Sequence, residues 1–309
     1  MSSSTPRSVW DSDDPDPPAV TTDLLERSDP GSPDHSDSGG PGAARDSGPG
    51  LWARLRAAMP PALFGAGTIV FWYLMTLVVP DRKKILLPAP HEVVGSLISE
   101  RSDLLDALVI TAKESLTGLL VAGVIGVLVA VIMSQGRFAE RALFPWAVVL
   151  QTVPTLALVP LIGLWFGFGF RSRVIVVVLI ALFPIITNTH FGLTTVDANL
   201  HDMFTLHRVG RARRLWRLQF PAAMPAIFAG FRISAGLSVI GAIVGEFFFG
   251  RGDKGLGNLV DRFRGQLDMP ALYATIAVSS VLGIAVYWTL AWAAERYTGA
   301  WHETGKKAE

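Results

Sequence analysis

The chain has 309 residues, half of them apolar and only 17% charged, with a mean hydropathy of +0.40. This is too apolar for a soluble globular domain, and the absence of cysteine excludes disulfides, thiolate metal sites and cysteine nucleophiles. The net charge of +1 hides an asymmetry: residues 1–50 hold ten acids and three arginines, net −7, while residues 51–309 are net +8.

Residues 1–50 carry eight prolines among many Ser, Asp and Gly residues and no apolar run long enough for a signal-peptide core, so they read as a disordered, acidic cytoplasmic tail. Six apolar segments follow, at 63–80, 105–134, 142–166, 173–194, 225–249 and 271–295. Each is long enough to cross the hydrocarbon layer as a helix of about 20 residues. The fold class is therefore all-α: a polytopic membrane protein of six transmembrane helices over 51–309, with both termini on one side. Counting Lys and Arg in the flanks and short loops gives thirteen on the side of the tail and ten on the other. The cluster Arg208, Arg211, Arg213, Arg214 and Arg217 carries that vote, making both termini cytoplasmic in a multi-pass protein of the cell membrane.

Between the first two spans, Pro88 and Pro90 precede a short helix expected from Glu92. Residues 250–270 read as a glycine-rich turn and a short amphipathic helix. Both lie at the outer surface, either contacting a soluble partner or covering helix ends.

A search for chemistry is largely negative. The phosphate-cradling G-x-x-x-x-G-K-[ST] loop is missing, as are H-E-x-x-H, paired histidines at metal-ligand spacing within a span, and a G-x-S-x-G elbow. No catalytic residue, metal site or cofactor is expected in this chain. Lys113, Glu114, Arg232 and Glu246 are ionisable and lie inside predicted spans near their ends, where snorkelling to the interface accounts for them; Arg171 and Arg173 count as outer-loop residues. The polar residues Gln151, Thr155 and Asn188 lie in spans interrupted by Pro154, Pro160 and Pro184, where a broken helix lines a cavity or where small and polar residues pack helices together.

The loop over 196–225 is the densest feature. Arg208, Arg211 and Arg214 recur at helical spacing, with Leu206, Val209, Leu215 and Leu218 interleaved, which predicts a helix with a basic stripe beside an apolar one. Such a helix lies on anionic headgroups or docks its apolar ridge in a groove of a cytoplasmic protein. Pro221 and Pro225 are expected to end it before the next span.

Pro221-Ala222-Ala223-Met224-Pro225 through Gly230, preceded by Arg213-Arg214-Leu215-Trp216-Arg217, resembles the second half of the "EAA" loop of permease subunits of ATP-binding-cassette (ABC) importers. In the first half Asp202 stands at the motif's glutamate, Met203 and Phe204 at its alanines and Arg208 at its glycine, the nearest glycine being Gly210. Val153-Pro154-Thr155-Leu156-Ala157, Trp165-Phe166-Gly167-Phe168-Gly169, Phe183-Pro184-Ile185-Ile186-Thr187-Asn188-Thr189 and Ile243-Val244-Gly245-Glu246-Phe247 are similar to the nitrate/sulfonate/taurine branch of that family. The resemblance covers about 85–309.

It implies a type I importer permease of MetI-like architecture, hydrolysing nothing itself, with ATP used by a partner. The partners implied are two cytoplasmic ABC ATPases, an extracytoplasmic substrate-binding protein, a second permease copy and the bilayer, with no nucleic acid. Asp202 to Leu218 would couple to the ATPases, through Asp202, Leu206, Arg208, Val209, Gly210, Arg211, Arg213, Arg214, Arg217, Pro221 and Pro225. Gln151, Thr155 and Asn188 would line the path. The implied substrates are small nitrate-, sulfonate- or taurine-type solutes, bicarbonate, or heterocycles such as thiamine-precursor pyrimidines and riboflavin. A rival from another class is an ion-coupled carrier or channel acting alone, which needs a charged relay at mid-membrane.

Overall fold

A computed structural model describes residues 51–80, 86–197, 200, 203–204, 206–207, 209–250 and 254–298. The expected tail over 1–50 lies outside them. The chain divides into two units, Met1–Ala58 and Met59–Glu309; the described part of the first, 51–58, is helical. The regular elements among the described residues are all helices, with no strand.

The helices are α1 (Leu51–Val78), α2 (Pro90–Ser99), α3 (Arg101–Ser134), α4 (Arg137–Thr152), α5 (Thr155–Phe166), α6 (Phe170–Thr194), α7 (Arg211–Arg214), α8 (Phe220–Phe248), α9 (Leu256–Gln266) and α10 (Met269–Thr298). Among the described residues five helical runs are long and apolar enough to cross a membrane, and α4 with α5 makes a sixth if taken as one broken span.

Local chemistry sets the helix starts. Pro90 opens α2, and the Glu92 carboxylate accepts the Ala89 N–H at 2.8 Å, meeting a donor that the helix leaves free. Asp268 does the same for α10, accepting the Ala271 N–H at 3.2 Å with Pro270 in the first turn. Gly167, at φ +86°, makes the turn between α5 and α6.

α3, α6 and α8 form the heart of the bundle, and small residues let them approach. A Cβ on Gly230 of α8 would lie 2.9 Å from the Pro184 carbonyl oxygen and 3.0 Å from the Asn188 Cβ of α6. Ser234 on α8 donates to the Ala181 carbonyl of α6 at 2.7 Å, fully buried. Where lipid is as apolar as any side chain, close packing and interhelical hydrogen bonds of this kind hold helices together.

Two expectations are corrected. The third span is not one helix: α4 and α5 meet at a 96° bend, because Val153 precedes Pro154 and takes an extended backbone (φ −65°, ψ 128°). Nor do Pro221 and Pro225 end a helix. The run from Arg211 continues through a π-helical stretch, Leu215–Gln219, into α8, with Pro221 in the first turn of α8 and Pro225 inside it. A proline ring presses on the carbonyl four residues earlier; the wider π turn immediately before Pro221 is where a helix accommodates that pressure.

Gly230→Ala should lower the unfolding temperature of the detergent-solubilised protein, by about 1–3 kcal/mol of overpacking. Gly236→Ala, where an added Cβ meets nothing within 4 Å, should leave that temperature unchanged or raise it. Paired thermal melts check the contrast.

Candidate functional site

At the end of the bundle that carries α9, four helices contribute to one buried polar cluster. Arg173, near the start of α6, and Glu114 of α3 are each 1% exposed and pair at 2.9 Å through Nη1 and Oε1. The other end of the guanidinium, Nη2, donates to the Phe249 carbonyl just beyond α8 at 3.0 Å. Glu246 of α8 is wholly buried; its Oε1 accepts the Thr111 hydroxyl of α3 at 2.7 Å and its Oε2 the Gly257 N–H at 2.6 Å. Thr111 Oγ1 in turn accepts the Leu256 N–H at 2.9 Å.

Glu246 therefore caps α9, a carboxylate at the positive end of a helix. The fit needs glycine: a Cβ on Gly255 would collide with the Glu246 carboxylate, and one on Gly257 with the Ile243 carbonyl. Asn258 closes the joint by donating its amide to the Glu246 carbonyl.

The cluster corrects the snorkelling expectation for Glu114 and Glu246, and the loop assignment of Arg173. Lys113, beside Glu114 in sequence, is exposed, as snorkelling requires. One arginine and two glutamates at the same ends of three spans was the available signal for pairing.

The basic segment lies at the other end of α8. Arg211, Arg213 and Arg217 are exposed and Arg214 is half-buried; Leu206, Gly210, Pro221 and Pro225 are exposed and Val209 is half-buried. The expected residues Asp202 and Arg208 lie outside the described residues. The single amphipathic helix is corrected: Val209 and Gly210 are not helical, and Gly210 (φ −61°, ψ 150°) is the extended cap from which the Arg211 helix starts. Leu206 thus does not share a helical face with Leu215 and Leu218. Leu215 and Phe220 instead pack on Leu193, Ala223 and Ile227, which seats the arginine-bearing turns on the ends of α6 and α8.

Gln151 is exposed at the end of α4, beside the bend, and Thr155 is half-buried as the first residue of α5. Asn188 is half-buried in the α6–α8 contact, and its amide donates to the Pro184 carbonyl at 2.8 Å. No hydrogen bond among the described residues joins the three. No group of three His, Cys, Asp or Glu side chains able to hold a metal occurs among the described residues.

Residues 122–299 match the family of binding-protein-dependent transport system inner membrane components. The chain belongs to that family. It is an ABC transporter permease of MetI-like fold and a multi-pass membrane protein. The permease is 33% identical over 232 residues to the formylaminopyrimidine transport permease protein ThiX of Halalkalibacterium halodurans, covering 74% of this chain and 90% of that one. It is 30% identical to the putative aliphatic sulfonates transport permease protein SsuC of Escherichia coli K12, covering 72% and 84%. It is 36% identical over 165 residues to the riboflavin transport system permease protein RibX of Chloroflexus aurantiacus, covering 53% and 60%. Permeases of this family are transmembrane subunits that work with an ATPase and a substrate-binding protein.

In this permease Arg173→Met should cost about 3–5 kcal/mol, since it strands the Glu114 carboxylate in the interior. The double variant Arg173→Met, Glu114→Leu should recover most of that loss, because only Glu246 then remains charged and it keeps the Thr111 hydroxyl and the Gly257 N–H as donors. Thermal stability of the wild type, the single and the double variant in one detergent measures both effects.

Proposed function

We propose that this permease forms the translocation path of an ATP-driven importer and takes its power stroke through the arginine segment. Two cytoplasmic ABC ATPases would grip Arg211, Arg213, Arg214 and Arg217, with Asp202, Leu206, Arg208, Val209 and Gly210 completing the coupling surface, both termini being cytoplasmic. ATP is bound and hydrolysed by those partners, and this chain contributes no catalytic residue, metal or cofactor. The single observation that carries the reading is the uninterrupted helical run from Arg211 to Phe248. A helix is stiff along its axis, so a displacement of its exposed arginines tilts α8 as a body. The Glu246 joint would carry that tilt into α9 at the far end.

An extracytoplasmic binding protein would deliver substrate to the end bearing α2 and α9, and two permease copies would enclose the path. The elbow between α4 and α5 is the segment best suited to line it, with Gln151 and Thr155, because non-helical backbone at membrane depth is tolerated only against protein or a water-filled cavity. Asn188 sits deeper, at the α6–α8 contact. The substrate class suggested by the relatives' names is a small sulfonate- or nitrate-type solute, a thiamine-precursor pyrimidine or riboflavin.

Two measurements test this. The triple variant Arg211→Glu, Arg213→Glu, Arg214→Glu should lose co-purification with the ATPase and lose uptake; assembly and uptake both unchanged would sink the coupling role. Gln151→Leu should lower uptake several-fold while the ATPase still co-purifies, and unaltered uptake would remove Gln151 from the path.

A further inference from the structure

Arg232 lies three turns into α8, in a stretch that is otherwise apolar. It is half-buried and its Nη2 donates to the Ala291 carbonyl of α10 at 3.2 Å. Its Nε is buried with no hydrogen-bond partner, and no carboxylate lies within 4 Å of it among the described residues. A cation at membrane depth is costly and is met by an opposite charge, a backbone carbonyl or a water-filled cavity; the Ala291 carbonyl meets one donor of Arg232 and leaves Nε unmet.

Space for one is present. A cleft of about 370 Å³ between α8 and α10 is lined by Arg232 with Phe228, Ala229, Ile233, Tyr287 and Ala294. Its level in the bilayer follows from α10. Ala291 is five residues before the exposed Arg296, about 7.5 Å along the helix. The same stretch bears the exposed rings of Tyr287, Trp288, Trp292 and Tyr297, the residue types that gather where headgroups meet acyl chains. The cleft thus opens at the depth of lipid phosphates and glycerol, its walls apolar and its one charge positive.

We propose that this cleft is a binding site for an anionic phospholipid of the leaflet adjoining the arginine segment, with Arg232 holding the phosphate and Ile233 and Tyr287 flanking the upper acyl chain. The complementarity is specific: the guanidinium offers charge-assisted hydrogen bonds to phosphate oxygens, and a net negative lipid supplies the missing counter-charge, which a zwitterionic one does not. The site is independent of the importer mechanism and stands whether or not the arginine segment docks an ATPase.

The test uses the full-length protein in detergent, titrated separately with phosphatidylglycerol and phosphatidylcholine, with bound lipid counted by native mass spectrometry. One phosphatidylglycerol should be retained about tenfold more tightly than phosphatidylcholine, whose choline cation offsets the phosphate charge that Arg232 would meet. Arg232→Gln should erase that preference and Arg232→Lys should keep part of it. Ala229→Trp, which fills the cleft from an exposed position and leaves Arg232 in place, should also erase it, and carries the test by itself if Arg232→Gln fails to fold. Equal retention of the two lipids by the wild type, or an unchanged preference in folded Arg232→Gln or Ala229→Trp, would overturn the proposal. So would displacement of phosphatidylglycerol by inorganic phosphate at matching concentration, which would make the occupant a free anion.

Discussion

The α9 end of the bundle depends on how Arg173, Glu114 and Glu246 are satisfied away from water. An ion taken into a protein interior forfeits several kcal/mol of hydration, so these groups must find partners in each other and in the backbone. They do so with one geometry: Arg173 bridges α3 and the end of α8, while Glu246 reaches across to Thr111 of α3 and to the first N–H groups of α9. Because the donors and acceptors belong to four helices, α3, α6, α8 and α9, the cluster fixes their relative placement in a way that apolar contact alone, which is non-directional, does not.

The rest of the bundle follows from close approach. α8 presents Gly230, Gly241 and Gly245 to the larger residues of α6 where they cross, and the Ser234 hydroxyl spans the gap to Ala181. α8 is thereby held along its length, clamped at one end by the Glu246 joint and carrying the arginine segment at the other. A rigid element with a charged joint at one end and an exposed basic handle at the other fits a subunit that must link events on two sides of a bilayer. The lone Arg232 between them belongs to neither end, which is why a lipid is the simplest source of its counter-charge.

Much of this architecture was legible in the residues. The apolar segments match the helices found to within a few residues, apart from 142–166, which the α4–α5 bend divides, and Pro90 with Glu92 marked α2 because capping is a local matter. What misled was punctuation. Pro154 did break its span, by a right angle, while Pro221 and Pro225 did not break theirs. The difference lies in what surrounds them: Pro221 follows directly on the π-helical stretch Leu215–Gln219, whose wider turn absorbs the ring. Pro154 instead forces an extended residue before it. Glu114 and Lys113 illustrate the same limit from the side of charge. Adjacent on one helix, one is sealed inside and the other exposed, since neighbouring residues on a helix face directions about 100° apart and only the packing partner decides which direction is inward.

The sequence by itself determined the class, most of the helices and the family, because bilayer thickness, capping and the Pro-Ala-Ala-Met-Pro motif involve residues close together in the chain. Only the tertiary structure decided which charges are paired, that the basic segment and α8 are one continuous helix, and that Arg232 faces an open cleft. Those outcomes depend on groups brought together from distant parts of the sequence, as Thr111 and Glu246 are across 135 positions, and no local pattern encodes where a distant partner will stand.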